Sequence, residues 1–105
     1  MPTSNYTPQT PKEKVSFQAF RILKQLDCDK TVREETMSLI ERADTKSLLK
    51  QGTPKGLAAG TVYIACILCE DRMTLDTIGS VVGLSGSTVG KYYMQIARGL
   101  GYSER

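Results

Sequence analysis

The sequence predicts a single all-α domain built from five main helices. Apolar residues recur at helical spacing in several separate segments. One further segment is apolar around its whole circumference, which is typical of a central helix covered by others. No segment shows the sustained alternation of apolar and polar residues that predicts a strand. With 105 residues, the chain has the length of one domain with one core.

The start of the chain predicts a flexible tail. Residues 1–11 hold three of the four prolines, at Pro2, Pro8 and Pro11, among Thr, Ser, Asn and Gln. We therefore place the folded domain at residues 12–103.

The first helix is predicted from Lys12 to near Asp27. Polar residues such as Lys14 and Arg21 take its solvent face. We expect Phe20 to widen its buried stripe. That stripe consists of Val15, Ala19, Ile22, Leu23 and Leu26.

A second helix is predicted after Asp29 or Thr31 as N-cap. Glu34 and Glu35 are expected in its first turn, where the helix dipole favours acids. A short turn through Leu48 and Leu49 is expected before Gly52. The buried stripe of this helix is predicted to be Val32, Thr36, Leu39, Ile40 and Ala43.

The third helix is predicted to be the apolar central helix. Thr53 is its N-cap, and Pro54 takes the first helical position, where a missing amide proton costs nothing. Gly60 within it predicts the close approach of a neighbouring helix. Its apolar residues leave no face that prefers water: Leu57, Ala58, Ala59, Val62, Ile64, Ala65, Cys66, Ile67, Leu68 and Cys69.

Two further helices predict a C-terminal helix-turn-helix, from about residue 74 to residue 98. Thr74 caps the first of them, Gly83 ends it in the left-handed conformation, and Ser85 caps the second. The last helix ends in the Gly99/Gly101 region. The expected buried residues are Leu75, Ile78, Val81 and Val82 in the first helix, and Val89, Tyr92, Tyr93, Ile96, Ala97 and Leu100 in the second.

The outer face of the last helix carries the candidate binding residues. Ser87 and Gly90 are small, so the helix can approach a groove closely, and Lys91 and Arg98 give the acid-free stretch 77–103 a charge of +2. This pattern favours DNA binding. Two helices joined by a glycine turn also occur in proteins that never contact DNA, so a purely structural role stays open.

The composition argues against an enzyme. The chain contains no histidine, which excludes Ser/His/Asp and Cys/His nucleophilic schemes. Cys66 and Cys69 form a C-x-x-C pattern, but they lie near the C-terminal end of the most apolar helix, where burial keeps thiols protonated. We interpret them as small apolar residues and predict no metal or cofactor. For at least one of Tyr92 and Tyr93, packing is favoured over base stacking.

Charge and targeting signals predict a protein of the cell interior. The net charge of +3 is modest for a protein that binds nucleic acid. No apolar run has the length of a membrane span, the start resembles no signal peptide, and an odd cysteine count argues against a disulfide framework.

Several motifs follow one another in the second half of the chain. They are Gly52-Thr53-Pro54-Lys55-Gly56-Leu57-Ala58-Ala59, Val62-Tyr63-Ile64-Ala65, Thr74, Ile78-Gly79, Val82-Gly83-Leu84-Ser85, Thr88-Val89 and Tyr93. In this order they resemble the cyclin-like repeats of transcription factor IIB. The archaeal version, transcription factor B, and its second repeat look most similar. The resemblance covers residues 14–101.

The resemblance implies a cyclin-like fold and a role in transcription initiation. Members of that family bind the complex of TATA-binding protein and promoter DNA, and the second repeat reads the DNA beside the TATA box. By this resemblance Ser87, Thr88, Gly90 and Lys91 face the major groove. Thr53 and Lys55 are placed near phosphates, and Arg98 adds a cation from the outer face of the last helix.

The chain departs from the family pattern in two ways. Gly90 stands where family members commonly place an arginine, so that residue cannot make the bidentate contact with guanine. The zinc ribbon and linker that engage RNA polymerase, and the other repeat, do not occur in this sequence. We therefore expect an excised domain or a shortened stand-alone paralogue, in the archaeal cytoplasm or, if eukaryotic, the nucleus.

Two alternatives remain open to a function in which the chain binds DNA together with TATA-binding protein. One is a cyclin-like protein-interaction module without specific DNA reading. The other is a homodimeric regulator, which needs two recognition helices about 34 Å apart.

Overall fold

The computed structural model describes residues 8–102 and confirms the all-α prediction. Within that range the secondary structure is entirely helical. The five helices are α1 (Pro11–Gln25), α2 (Lys30–Thr45), α3 (Pro54–Leu68), α4 (Leu75–Val82) and α5 (Gly86–Gly99), with a short 3-10 helix at Leu48–Lys50. Residues 1–7 of the predicted tail lie outside the described residues, and the domain bounds 12–103 stay a prediction.

Helix α3 is the centre of the fold, as predicted. Each of the other four helices packs against it. Seven consecutive residues, 56–62, are buried, so this stretch is covered on all sides. The prediction fails at the last turn, where Ile67 and Leu68 are 45% and 44% exposed. The surrounding helices cover residues 56–62 of α3, and no described element covers Ile67 and Leu68 in its last turn.

Helices α3 and α5 cross in close contact, and Gly60 makes this crossing possible. A methyl group on Gly60 would lie 2.8 Å from the backbone nitrogen of Tyr93 and 2.9 Å from the carbonyl carbon of Tyr92. Cβ atoms essentially never lie this close to another heavy atom, so only glycine allows the two backbones to meet. The predicted reason for a glycine inside this helix is confirmed.

Helix α1 begins at a capping box one residue before the predicted start. Thr10 Oγ1 accepts a hydrogen bond from the backbone N–H of Glu13 at 3.1 Å. The Glu13 carboxylate accepts in return from the N–H groups of Thr10 and Gln9. These bonds to its ionised form lower the pKa of Glu13.

The prediction that Phe20 belongs to the core is wrong. Phe20 is 53% exposed, while its neighbour Ala19 is completely buried. Successive residues of a helix point about 100° apart, and α2 does not cover the side on which Phe20 lies. Phe20 instead lines an open groove of about 460 Å³ together with Phe17 and Met37.

Helix α2 follows the prediction on its buried side but not at its start. All five residues of the predicted stripe are buried. Asp29 is the N-cap residue, yet its side chain makes no capping hydrogen bond. The first turn contains no acidic residue, so Glu34 and Glu35 lie one turn later than expected. Lys12 and Glu41 form an ion pair at 2.6 Å between α1 and α2.

Among residues 8–102, no helix is long and apolar enough to cross a lipid bilayer.

Two interior helical glycines should respond oppositely to alanine. Gly60→Ala is expected to destabilise the domain by about 1–3 kcal/mol, because the new methyl group meets backbone atoms of α5. Gly90→Ala is expected to stabilise it by about 0.5–1 kcal/mol, since its methyl group would be 3.5 Å from Leu75 Cδ1, an ordinary contact. Urea unfolding of both variants measures the difference, and equal effects would contradict the tight α3–α5 crossing.

Candidate nucleic-acid interface

Helices α4 and α5 are joined by the turn 83–85, and both begin at a hydroxyl cap. Thr74 Oγ1 accepts from the N–H of Thr77 at 3.1 Å, and Ser85 Oγ accepts from the N–H of Thr88 at 3.2 Å. Gly83 has a φ of 74°, in the left-handed region that favours glycine. The predicted caps and turn are confirmed.

The two helices are also linked through a carboxylate. Asp76, in the first turn of α4, accepts a hydrogen bond through Oδ1 from the backbone N–H of Gly86 at 3.1 Å. An acid is favoured at this position, because the first N–H groups of α5 have no partner within the helix. The N-terminal end of α5 is therefore fixed to α4 while it remains at the surface.

The structure brings three predicted residues to one exposed stripe. Ser87, Lys91 and Arg98 are exposed on α5, and their spacing of four and seven residues places them on one face. No hydrogen bond or ion pair to another described residue engages the side chain of Lys91 or Arg98. This stripe, which we call the α5 face, is a basic surface without a neighbouring acid on its own helix.

Two other predicted residues on α5 lie beside this face rather than on it. Gly90 is half-buried against Leu75 of α4. Thr88 is half-buried, and its hydroxyl accepts a hydrogen bond from Ser85 Oγ at 3.1 Å. Thr88 thus takes part in the cap of α5.

Thr53 and Lys55 lie at the other flank of α5, where Tyr92 covers the start of α3. The backbone N–H of Thr53 donates to the Tyr92 hydroxyl at 3.1 Å, and Thr53 Oγ1 accepts from the N–H of Gly56 at 3.1 Å. Gln95 Nε2 donates to the carbonyl of Gln51 at 2.7 Å. The Thr53 hydroxyl is therefore committed to capping α3, while Lys55 is exposed.

Both tyrosines of α5 are packing residues, whereas the sequence favoured packing for at least one of them. The hydrogen bonds from the side chain and backbone of Thr53 lower the pKa of the Tyr92 phenol. The rings of Tyr93 and Tyr63 meet edge to face, with centroids 4.9 Å apart, which is a favourable aromatic geometry. Both rings thus fix α5 against α3.

Sequence reasoning missed Arg72, which lines a groove beside the α5 face. The groove has a volume of about 620 Å³ and lies between the α3–α4 connection and the first turns of α5. Arg72, Ser87 and Gly90 share its lining. The available signal was the position of Arg72 two residues before the Thr74 cap.

The cysteines have the environment of packing residues. Burial raises the pKa of the Cys66 thiol to about 12, and it also raises the pKa of Cys28 and Cys69. A protonated thiol is a poor nucleophile and metal ligand. Within the described part of the chain, no group of three or more His, Cys, Asp or Glu residues could hold a metal ion.

The fold has four helices around a buried central helix and a capped α4–α5 pair at its C-terminal end. These features define the domain as a cyclin-like helical repeat. Residues 4–99 match the family model of the transcription factor TFIIB repeat. The chain belongs to that family, as its motifs suggested. Because this is a family of transcription factors, the chain is not an enzyme.

Archaeal relatives agree with this assignment. The chain is 33% identical over 85 residues to transcription initiation factor IIB 2 of Thermococcus kodakarensis, covering 81% of this chain and 28% of the relative. It is 35% identical over 80 residues to transcription initiation factor IIB of Pyrococcus horikoshii, and this match covers 76% of this chain and 27% of the relative. The chain thus spans about a quarter of the length of these relatives.

The thiols should differ sharply in reactivity. At about pH 8, iodoacetamide should modify half-buried Cys69 fastest. The buried Cys66 should react at least about a hundredfold more slowly, because its raised pKa leaves about a thousandfold less thiolate than an ordinary cysteine has. Peptide mass spectrometry measures both rates. As a control, Cys66 and Cys69 should react at equal rates in the protein unfolded by urea. Equal rates in the folded protein would contradict the buried position of Cys66.

Proposed function

We propose that this chain is a DNA-binding repeat of a TFIIB-type initiation factor, which contacts promoter DNA through α4 and α5 as a helix-turn-helix in concert with TATA-binding protein. The observation that carries the proposal is the α5 face, an exposed stripe with two cations, Lys91 and Arg98, that are engaged by no described residue. Recognition helices use such a face to enter the major groove.

The residues of this surface take different roles in the proposal. Lys91 and Arg98 bind phosphates, while the small residues Ser87 and Gly90 allow the N-terminal end of α5 to approach base edges. Lys55 adds a phosphate contact from the start of α3. Thr53 and Thr88 support the surface through their capping bonds.

Modest charge makes a partner necessary. Each neutralised phosphate releases about one counterion, so a protein with few phosphate contacts has a low intrinsic affinity. A net charge of +3 therefore favours binding to DNA that TATA-binding protein already holds. The archaeal relatives named transcription initiation factor IIB support the same context.

One observation favours a second candidate, the protein-interaction module. Phe17, Phe20 and Met37 are 46%, 53% and 37% exposed and line one groove between α1 and α2. Exposed apolar residues gathered in a groove are typical of protein contacts. If the chain binds no DNA under any condition, this candidate replaces the first.

The double variant Lys91→Ala/Arg98→Ala tests the α5 face. We expect its affinity for a fluorescent promoter duplex, measured by anisotropy with TATA-binding protein present, to fall several-fold. The slope of log K against log salt should become shallower by about 1.8, because two phosphate contacts are lost.

The matched control is Lys14→Ala/Lys30→Ala, which removes the same charge from exposed positions on α1 and α2. Its affinity should stay close to that of the parent. Equal weakening in both variants would show binding through net charge alone, and an unchanged affinity of the α5 variant would remove this face from the interface. Thermal unfolding verifies that all variants fold.

A further inference from the structure

The groove beside the α5 face opens where a recognition helix meets base edges. It is lined by the first turns of α5, through Gly86, Ser87 and Gly90, and by the α3–α4 connection, through Arg72. In helix-turn-helix proteins the N-terminal residues of the second helix contact the bases. A side chain that projects into this groove from another element can therefore reach the same bases.

Gly90 leaves this groove open although the fold does not require a glycine there. A methyl group at Gly90 would be 3.5 Å from Leu75 Cδ1, an ordinary contact, and would meet no other heavy atom within 4 Å. Gly60, by contrast, is demanded by the crossing of α3 and α5. The missing side chain at position 90 thus creates space beside Ser87 that packing does not explain.

Arg72 is the cation that lines this space. Its side chain is exposed, and among residues 8–102 no hydrogen bond or ion pair engages its guanidinium. A guanidinium presents a fixed fork of N–H donors that matches two acceptors lying side by side. In the major groove, O6 and N7 of guanine form such a pair.

The Asp76 carboxylate indicates that the groove binds a base and not a phosphate. Its carboxylate shares the lining with Arg72, and it is held by the bond from Gly86 N–H at 3.1 Å. A fixed negative charge repels a phosphate. It can, however, accept a hydrogen bond from the N4 amino group of cytosine. A donor fork and an acceptor in one groove match the major-groove edge of a G·C base pair.

We infer that Arg72 is a specificity-determining residue, which reads the guanine of a G·C base pair from the α3–α4 connection in place of a side chain at position 90. This inference rests on the proposed function, because it requires that α5 enters the major groove. It assigns base reading to Arg72 and leaves phosphate binding to Lys91 and Arg98.

The test uses the full chain, TATA-binding protein and a panel of promoter duplexes in which each base pair beside the TATA box is replaced in turn. The parent should prefer G·C at one position by about 5- to 150-fold, the range of a good bidentate contact. Arg72→Ala should lose that preference and keep the others. Arg72→Lys should also lose most of it, because an ammonium group keeps the charge but not the fork.

Arg98→Ala is the matched control, since it removes an arginine assigned to a phosphate. It should weaken binding to all duplexes equally. If Arg72→Ala behaves in the same way, Arg72 binds a phosphate and the inference is overturned. An unchanged preference in Arg72→Ala overturns it as well, while the proposed function stands. If the parent binds no duplex, the proposed function itself has failed.

Discussion

The close crossing of α3 and α5 at Gly60 is the constraint on which the rest of the structure depends. Because the backbone of Tyr92 and Tyr93 lies directly on α3, the two rings extend to opposite flanks. Tyr92 reaches the first turn of α3, and Tyr93 meets Tyr63. Helix α5 is thus held against α3, and α4 packs beside it. Its exposed side is the α5 face. The packing of α5 on the apolar helix α3 thereby determines which side of α5 is exposed as the basic α5 face.

The N-terminal end of α5 is held by polar bonds in addition to the apolar contact of Val89 with the core. The Ser85 hydroxyl and the Asp76 carboxylate accept hydrogen bonds from N–H groups of the first turn. Bonds to a charged acceptor are stronger than neutral ones, and they fix the end of a helix without covering it. This arrangement leaves the groove with Arg72 open to solvent. The N-terminal end of α5 is therefore both rigid and accessible to solvent. A surface that recognises another molecule needs both properties.

The candidate site was only partly predictable, because it combines local and distant contacts. Lys91 and Arg98 follow from the periodicity of one helix, and the structure places them as expected. The capping of α3 by the Thr53 hydroxyl was also visible in the sequence, but its bond to Tyr92 joins residues 39 positions apart. Arg72 and Gly90 likewise belong to different elements, yet they line the same groove. Sequence patterns describe one element at a time, so they do not identify which residues of distant elements meet.

By itself the sequence determined the five helices, their caps at Thr53, Thr74 and Ser85, and the central position of α3. These features depend on residues within one or two turns of each other, so periodicity and capping chemistry are sufficient to predict them. Only the tertiary structure decided which apolar residues are covered. Phe20 and Ile67 belong to apolar stretches of their own helices, but no neighbour crosses above them. Burial depends on where helices meet, and the angles and positions of those crossings are set by the whole packed core.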